Sequence, residues 1–126
     1  MKEIVSTDKA PAAIGPYSQA VKSGSFIFLS GQIPLDPATM EVVEGDVSTQ
    51  TEQVLKNIGA LLESQGLSFA DVVKTTVFIK NMSDFATING VYAKYFTDNA
   101  PARSCVEVAA LPKGVLVEIE SIAVLK

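Results

Sequence analysis

The sequence predicts an α+β fold in which a mixed β-sheet carries two helices on one of its faces. Two segments place apolar residues at helical spacing, and several short runs rich in β-branched residues are bounded by glycine or proline. Their order along the chain is two strands, a helix, a strand, a helix and two strands. With 126 residues, 48% of them hydrophobic, the chain suits one domain spanning 1–126.

The first two predicted strands are Ser18–Lys22 and Phe26–Ser30. The second is a compact apolar run followed by Gly31, which is typical of a buried strand. Pro34–Glu44 contains prolines and an aspartate and is predicted to form loop and turn.

The first helix is predicted to begin at a capping box and to end at Gly66. Thr49 and Glu52 have the spacing at which each side chain caps the other's backbone N–H. The apolar residues after them share one helical face: Val54, Leu55, Ile58, Leu61 and Leu62.

A strand and a second helix follow. Val72–Ile79 is rich in β-branched residues, and the helix starts near Ser83 and Asp84. Its apolar stripe consists of Phe85, Ile88, Tyr92, Tyr95 and Phe96. Gly90 within this helix costs roughly 1 kcal/mol relative to alanine.

The last two predicted strands, Arg103–Ala109 and Val115–Leu125, are joined by a short hairpin-like connection. If they pair as an antiparallel hairpin, Glu118 lies near Cys105 or Glu107, and a single bulge would reverse this register.

Two helices cannot cover both faces of such a sheet. Either Ile122 or the pair Val117 and Ile119 is therefore exposed on the open face, depending on the phase of the strand. We expect the chain to oligomerise through this face.

Composition argues against several classes of function. The net charge is −4, and the basic residues are dispersed from Lys2 to Lys126, so nucleic-acid binding is not expected. One cysteine and no histidine disfavour a metal site, and no glycine-rich nucleotide loop is present. We expect a cytoplasmic protein without a signal peptide or membrane segment.

The only arginine, Arg103, and the only cysteine, Cys105, share one strand face with Glu107. A nucleophilic cysteine needs a base, usually histidine, so Cys105 is more simply a small apolar residue. Arg103 could bind a carboxylate through its two-pronged guanidinium or form an ion pair with Glu107 or Glu118.

Four further residues each allow two interpretations. Glu118 is either a base or part of a solvated strand face shared with Glu120. Tyr17 lies in a loop, where it could rim a pocket or only pack. Ser30 and Gly31 end a buried strand, and this glycine permits close approach by a ligand or by another backbone.

The chain resembles the RidA family, also called the YjgF or reactive-intermediate-deaminase family. Four segments carry the resemblance, and the last is its most specific signature: Ala10–Ala20, Ser30–Pro34, Lys74–Asn89 and Pro101–Glu120. Membership implies a chorismate-mutase-like fold and a homotrimer with a central β-barrel and clefts between subunits. It also implies hydrolysis of 2-imino acids, such as 2-iminobutanoate and 2-iminopropanoate, to 2-oxo acids and ammonia without metal or cofactor.

The resemblance also implies roles for individual residues. Arg103 would bind the substrate carboxylate, Glu118 would orient the attacking water, and Cys105 would contribute backbone polar groups. The residues expected to line the same cleft, some from the adjacent subunit, are Tyr17, Ser30, Gly31 and Asn89.

Two alternatives remain at this point. The same pocket could belong to a regulatory or chaperone-like module that binds metabolites without catalysis. The second alternative is a ribonuclease or translation inhibitor, and the acidic composition without histidine argues against that function.

Overall fold

The computed structural model describes residues 1–126 and contains one mixed sheet and two helices, as the sequence predicts. The sheet has six strands, one more than the five predicted. The strands are β1 (Glu3–Val5), β2 (Ala20–Ser23), β3 (Phe26–Gln32), β4 (Val72–Ile79), β5 (Ala102–Glu107) and β6 (Val117–Val124). The helices are α1 (Val47–Glu63) and α2 (Phe85–Tyr95). Neither helix combines the length and apolar character required to cross a membrane.

The strand order is β1-β2-β3-β6-β4-β5, and only β4 and β5 run parallel. α2 is the crossover that connects β4 to the parallel strand β5. β5 forms one edge of the sheet, and β6 lies between β3 and β4 and does not pair with β5. The predicted hairpin is therefore wrong. Cys105 pairs with Val77 of β4, whereas Glu118 pairs with Phe78 of that strand, so β4 separates Glu118 from Cys105 and Glu107.

The two faces of the sheet differ in burial. On β6, Val117 and Ile119 are buried under the helices, whereas Ile122 points to the open face. α2 is attached to the helix-covered face by a hydrogen bond of 2.7 Å between the Tyr92 and Thr75 hydroxyls. Large apolar side chains remain exposed on the open face: Ile4, Phe26, Phe28, Val106 and Val124.

The N-terminus of α1 differs from the predicted capping box. Asp46 caps the helix, and its Oδ1 accepts a hydrogen bond of 3.1 Å from the Thr49 backbone N–H. Glu52 does not reach back to Thr49. It turns toward α2, where it forms an ion pair of 2.7 Å with Lys94 and a short hydrogen bond with Tyr95. Asp46 thus satisfies one of the free N–H groups of the first turn, that of Thr49.

A β-bulge interrupts β3 where the candidate site begins. Leu29 pairs with Ser121 and Gln32 pairs with Ile119, so Ser30 and Gly31 together oppose a single residue of β6. β3 thus continues past the predicted end at Ser30. Bulges bend a strand and redirect its side chains, which is why they recur beside functional sites.

Candidate functional site

One cavity of about 580 Å³ collects four of the residues singled out from the sequence. Tyr17, Ser30, Gly31 and Glu118 line it. The rest of its wall comes from the segment before Tyr17, the loop after β3 and the turn before β6: Ala12, Ile14, Ile33, Leu35, Met40, Pro112 and Lys113.

Glu118 reaches this cavity because Gly31 has no side chain. A Cβ atom at position 31 would overlap Oε2 of Glu118 and lie 3.0 Å from its Cδ. The bulge brings the β3 backbone against the carboxylate, and only glycine leaves room for that approach.

The Glu118 carboxyl has a raised pKa. Burial is the main cause, because desolvation penalises the charged form, and the nearby Glu120 carboxylate adds to the effect. No cation pairs with Glu118, since the one ion pair of the chain joins Lys94 and Glu52. A half-buried carboxylate with raised proton affinity suits a general base near neutral pH.

Ser30 and Tyr17 lie on segments that a buried glutamine holds in place. The Ser30 hydroxyl donates to the Ser18 carbonyl at 2.6 Å. Gln19 donates through Nε2 to the carbonyls of Ala10 and Pro11, at 3.2 and 2.7 Å, and so ties down the start of the loop that carries Tyr17. Tyr17 itself is 54% exposed at the mouth of the cavity.

Arg103 lies at a different cavity, of about 500 Å³, with Asn89 and Tyr92. Its Nη1 donates a hydrogen bond of 2.7 Å to Asn89 Oδ1. It forms no ion pair with Glu107 or Glu118. Glu107 accepts instead from the Met82 backbone N–H at 2.6 Å, and Glu118 lies on the other face of the sheet. The structural ion pair that the sequence left open is therefore excluded within one chain.

Cys105 shares the helix-covered face with Arg103, as strand alternation predicts. Burial raises the pKa of the Cys105 thiol, and the Arg103 charge opposes that effect only in part. The thiolate needed for nucleophilic attack is thus disfavoured at neutral pH.

The predicted site residues form two groups in one chain. Tyr17, Ser30, Gly31 and Glu118 meet around the first cavity, whereas Asn89 and Arg103 line the second. The side chain of Arg103 lies toward the helices, and that of Glu118 lies on the open face of the sheet. A single chain does not bring these two groups together.

Sequence reasoning missed two residues that line these cavities, Lys113 and Tyr92, and a further neighbour of Arg103, Phe85. Lys113 lines the Glu118 cavity in a left-handed conformation with φ of 57°. Phe85 and Tyr92, assigned to the apolar stripe of α2, contact Arg103. Their spacing around Asn89 puts all three on one helical face, and this was the sequence signal that could have identified Phe85 and Tyr92.

No group of three or more potential metal ligands occurs in the chain.

The family model described as Endoribonuclease L-PSP matches residues 7–125. A Salmonella typhimurium protein named 2-iminobutanoate/2-iminopropanoate deaminase is 57% identical over 127 residues, with 98% of each chain covered. The chain belongs to the RidA family. The resemblance carried by the four sequence segments is thereby confirmed.

Solved structures agree with this assignment. RidA from the Antarctic bacterium Psychrobacter is 51% identical, with a TM-score of 0.93 over 98% of this chain and 99% of that one. Escherichia coli TdcF with bound serine is 50% identical, with the same TM-score and coverage. The RidA fold of this chain is therefore shared by a relative that holds a small amino acid.

Proposed function

We propose that this chain is a 2-iminobutanoate/2-iminopropanoate deaminase, which hydrolyses 2-imino acids to 2-oxo acids and ammonia. The observation that carries the proposal is the half-buried, unpaired Glu118 carboxylate, which faces a cavity over Gly31. The name of the Salmonella relative supports the same reaction.

In the proposed mechanism, Arg103 anchors the substrate carboxylate. Nη1 of Arg103 donates a hydrogen bond to Asn89. The remaining N–H groups of the guanidinium are available for two parallel hydrogen bonds to a carboxylate. Fixing the carboxylate sets the position of the adjacent imine carbon, and such positioning lowers the barrier to attack.

Glu118 then acts on water. Its carboxylate accepts a proton as the water oxygen bonds to the carbon of the protonated imine, and the C=N π electrons move to nitrogen. The protonated Glu118 returns the proton to the amine of the resulting carbinolamine. Ammonia leaves as the hydroxyl proton passes back to Glu118 and the C=O bond forms. The departing ammonia takes this proton and leaves as ammonium, which restores the Glu118 carboxylate for the next turnover. Since a protonated imine is already electrophilic, no covalent nucleophile is needed, which agrees with the disfavoured Cys105 thiolate.

We propose further that the complete site lies between subunits of a homotrimer. The Arg103 and Glu118 groups occupy separate cavities of one chain, so a second copy is needed to place a guanidinium opposite Glu118. The exposed Phe26, Phe28 and Val124 give the open face the apolar character that assembly would cover. Measurement of the solution mass by light scattering tests this part directly.

The catalytic test supplies 2-iminobutanoate from a threonine dehydratase and follows its decay to 2-oxobutanoate. Arg103→Ala should lower kcat/KM by at least roughly tenfold to a hundredfold, since even one charge-assisted hydrogen bond contributes roughly 1.5–3 kcal/mol. Glu118→Gln should lose turnover and retain carboxylate binding, with Glu120→Gln as the control on the same strand. Decay no faster than in buffer would leave a binding module as the better explanation.

The family description also mentions an endoribonuclease. The chain has a net charge of −4 and no histidine, so neither phosphate attraction nor the usual acid–base group for RNA cleavage is available. We therefore assign imine hydrolysis rather than RNA cleavage to this member.

A further inference from the structure

One face of α2 forms a cradle for the Arg103 side chain. Phe85, Asn89 and Tyr92 are spaced four and three residues apart, so they project from the same side of the helix. The guanidinium carbon lies 5.0 Å from the centre of the Tyr92 ring and 5.5 Å from that of Phe85. Asn89 accepts the hydrogen bond from Nη1 between them.

The Tyr92 ring is the rigid part of this cradle. Tyr92 is 6% exposed, and its hydroxyl is hydrogen-bonded at 2.7 Å to the fully buried Thr75 hydroxyl of β4. The ring also packs against Phe96, with 4.5 Å between the ring centres and the ring planes tilted by 35°. Its position is therefore fixed by the core of the sheet.

Arg103 has little else to restrain it. It is exposed on β5, which is an edge strand with a neighbour on one side only. It forms no ion pair, and Asn89 is the one side chain that hydrogen-bonds to it. A long side chain under these conditions would otherwise sample many rotamers.

We propose that Tyr92 is a positioning residue for Arg103. The ring, held by Thr75, covers one face of the guanidinium and leaves its N–H edge free for the substrate carboxylate. In this role Tyr92 acts through Arg103 and not on the substrate or the attacking water. This inference rests on the proposed deaminase function, in which Arg103 is the carboxylate anchor.

Tyr92→Leu removes the ring and keeps an apolar side chain in the core. The KM for 2-iminobutanoate should rise about 3- to 30-fold, which is the range expected for loss of a cation–π contact. The kcat should fall less than KM rises, because substrate that still binds has its carboxylate held by Arg103 and Asn89 keeps its hydrogen bond to the guanidinium.

Tyr95→Leu is the matched control. Tyr95 is on the same helix and packs on Phe69, but it does not contact Arg103. If α2 were merely destabilised by losing an aromatic ring, both variants would change KM alike, and the proposal would be wrong. A change confined to Tyr92→Leu supports it.

A spectroscopic readout separates this inference from the proposed function. The Arg103 Cδ is two bonds from the guanidinium carbon, which lies 5.0 and 5.5 Å from the Tyr92 and Phe85 ring centres. The NMR resonances of its protons should therefore be shifted upfield in the ligand-free wild type. Tyr92→Leu should move them toward ordinary arginine values, and Tyr95→Leu should not. This result stands even if the wild type fails to hydrolyse imines.

If Tyr92→Leu does not fold, Tyr92→Phe and Thr75→Val test the positioning role of Tyr92 instead. Each breaks the hydroxyl pair and keeps the ring, so KM should rise about two- to fivefold with a partial shift of the Arg103 resonances. Wild-type KM and unchanged resonances in both variants would overturn the proposal.

Discussion

The Glu118 carboxylate occupies the space that a side chain at position 31 would require. Gly31→Ala should therefore displace this carboxylate and lower kcat/KM at least about tenfold, since small misplacements of a reacting group are costly. The melting temperature should change little, because only the far end of a flexible side chain has to move.

Gly90→Ala serves as the control for the Gly31 variant. A Cβ at Gly90 meets nothing within 4 Å, and the residue lies inside α2. This substitution should stabilise the protein by about 0.5–1 kcal/mol and leave activity unchanged. An active Gly31→Ala enzyme would show that the carboxylate position does not limit turnover.

The Glu118 ionisation should appear in both activity and stability. Burial first and Glu120 second raise its pKa above the ordinary 4.5, so activity that needs the carboxylate should rise with pH through a midpoint above 4.5. Glu120→Gln removes the repulsion and should move the midpoint of the kcat/KM profile to lower pH. A midpoint that stays in place would rule out the coupling.

Stability should show the opposite trend. The folded chain binds the Glu118 proton more tightly than the unfolded chain, so this group lowers the free energy of unfolding as pH rises from 4.5 through the raised pKa. Glu118→Gln should therefore gain stability relative to the wild type at pH 7 and lose that advantage below pH 4.5. Chemical denaturation at both pH values measures the difference.

Cys105 should be dispensable for chemistry. Burial raises the pKa of its thiol, and its backbone, not its side-chain sulfur, takes part in the strand pairing with Val77. Cys105→Ser should keep kcat/KM within about tenfold of the wild type, and iodoacetamide should react slowly at pH 7. Loss of all turnover in a folded serine variant would restore the nucleophile hypothesis.

Asn57 connects α1 to the loop that lines the Glu118 cavity. Its buried Nδ2 donates to the carbonyls of Ile33 and Leu35, at 3.3 and 3.0 Å. The Ile33 carbonyl also accepts from the Leu35 backbone N–H at 2.7 Å, so Asn57→Leu leaves only the Leu35 carbonyl unpaired. The substitution should cost about 1–3 kcal/mol in unfolding free energy. Gln53→Ala, which removes only a side-chain partner of Asn57, should cost less than about 1 kcal/mol. Equal costs would show that the Leu35 carbonyl finds another partner.

Local sequence patterns located most elements. The predicted limits Val72–Ile79 coincide with those of β4, and all five residues of the predicted α1 stripe are buried. Strand β1 was missed because Glu3–Val5 is short and only Val5 is buried. The sequence prediction placed the N-cap of α1 at Thr49 instead of Asp46, because Asp46 precedes the apolar pattern on which the prediction relied.

Residue chemistry alone made Arg103 and Glu118 candidates, each with a structural alternative, and the family resemblance then implied their roles. The same chemistry lowered the priority of Cys105, because a chain without histidine lacks the usual base. Strand pairing was different. Adjacent segments in sequence need not be adjacent in a sheet, and the crossover through α2 put β4 between β5 and β6. Only the tertiary structure therefore placed Arg103 and Glu118 on opposite faces, and only backbone approach at the bulge explained Gly31.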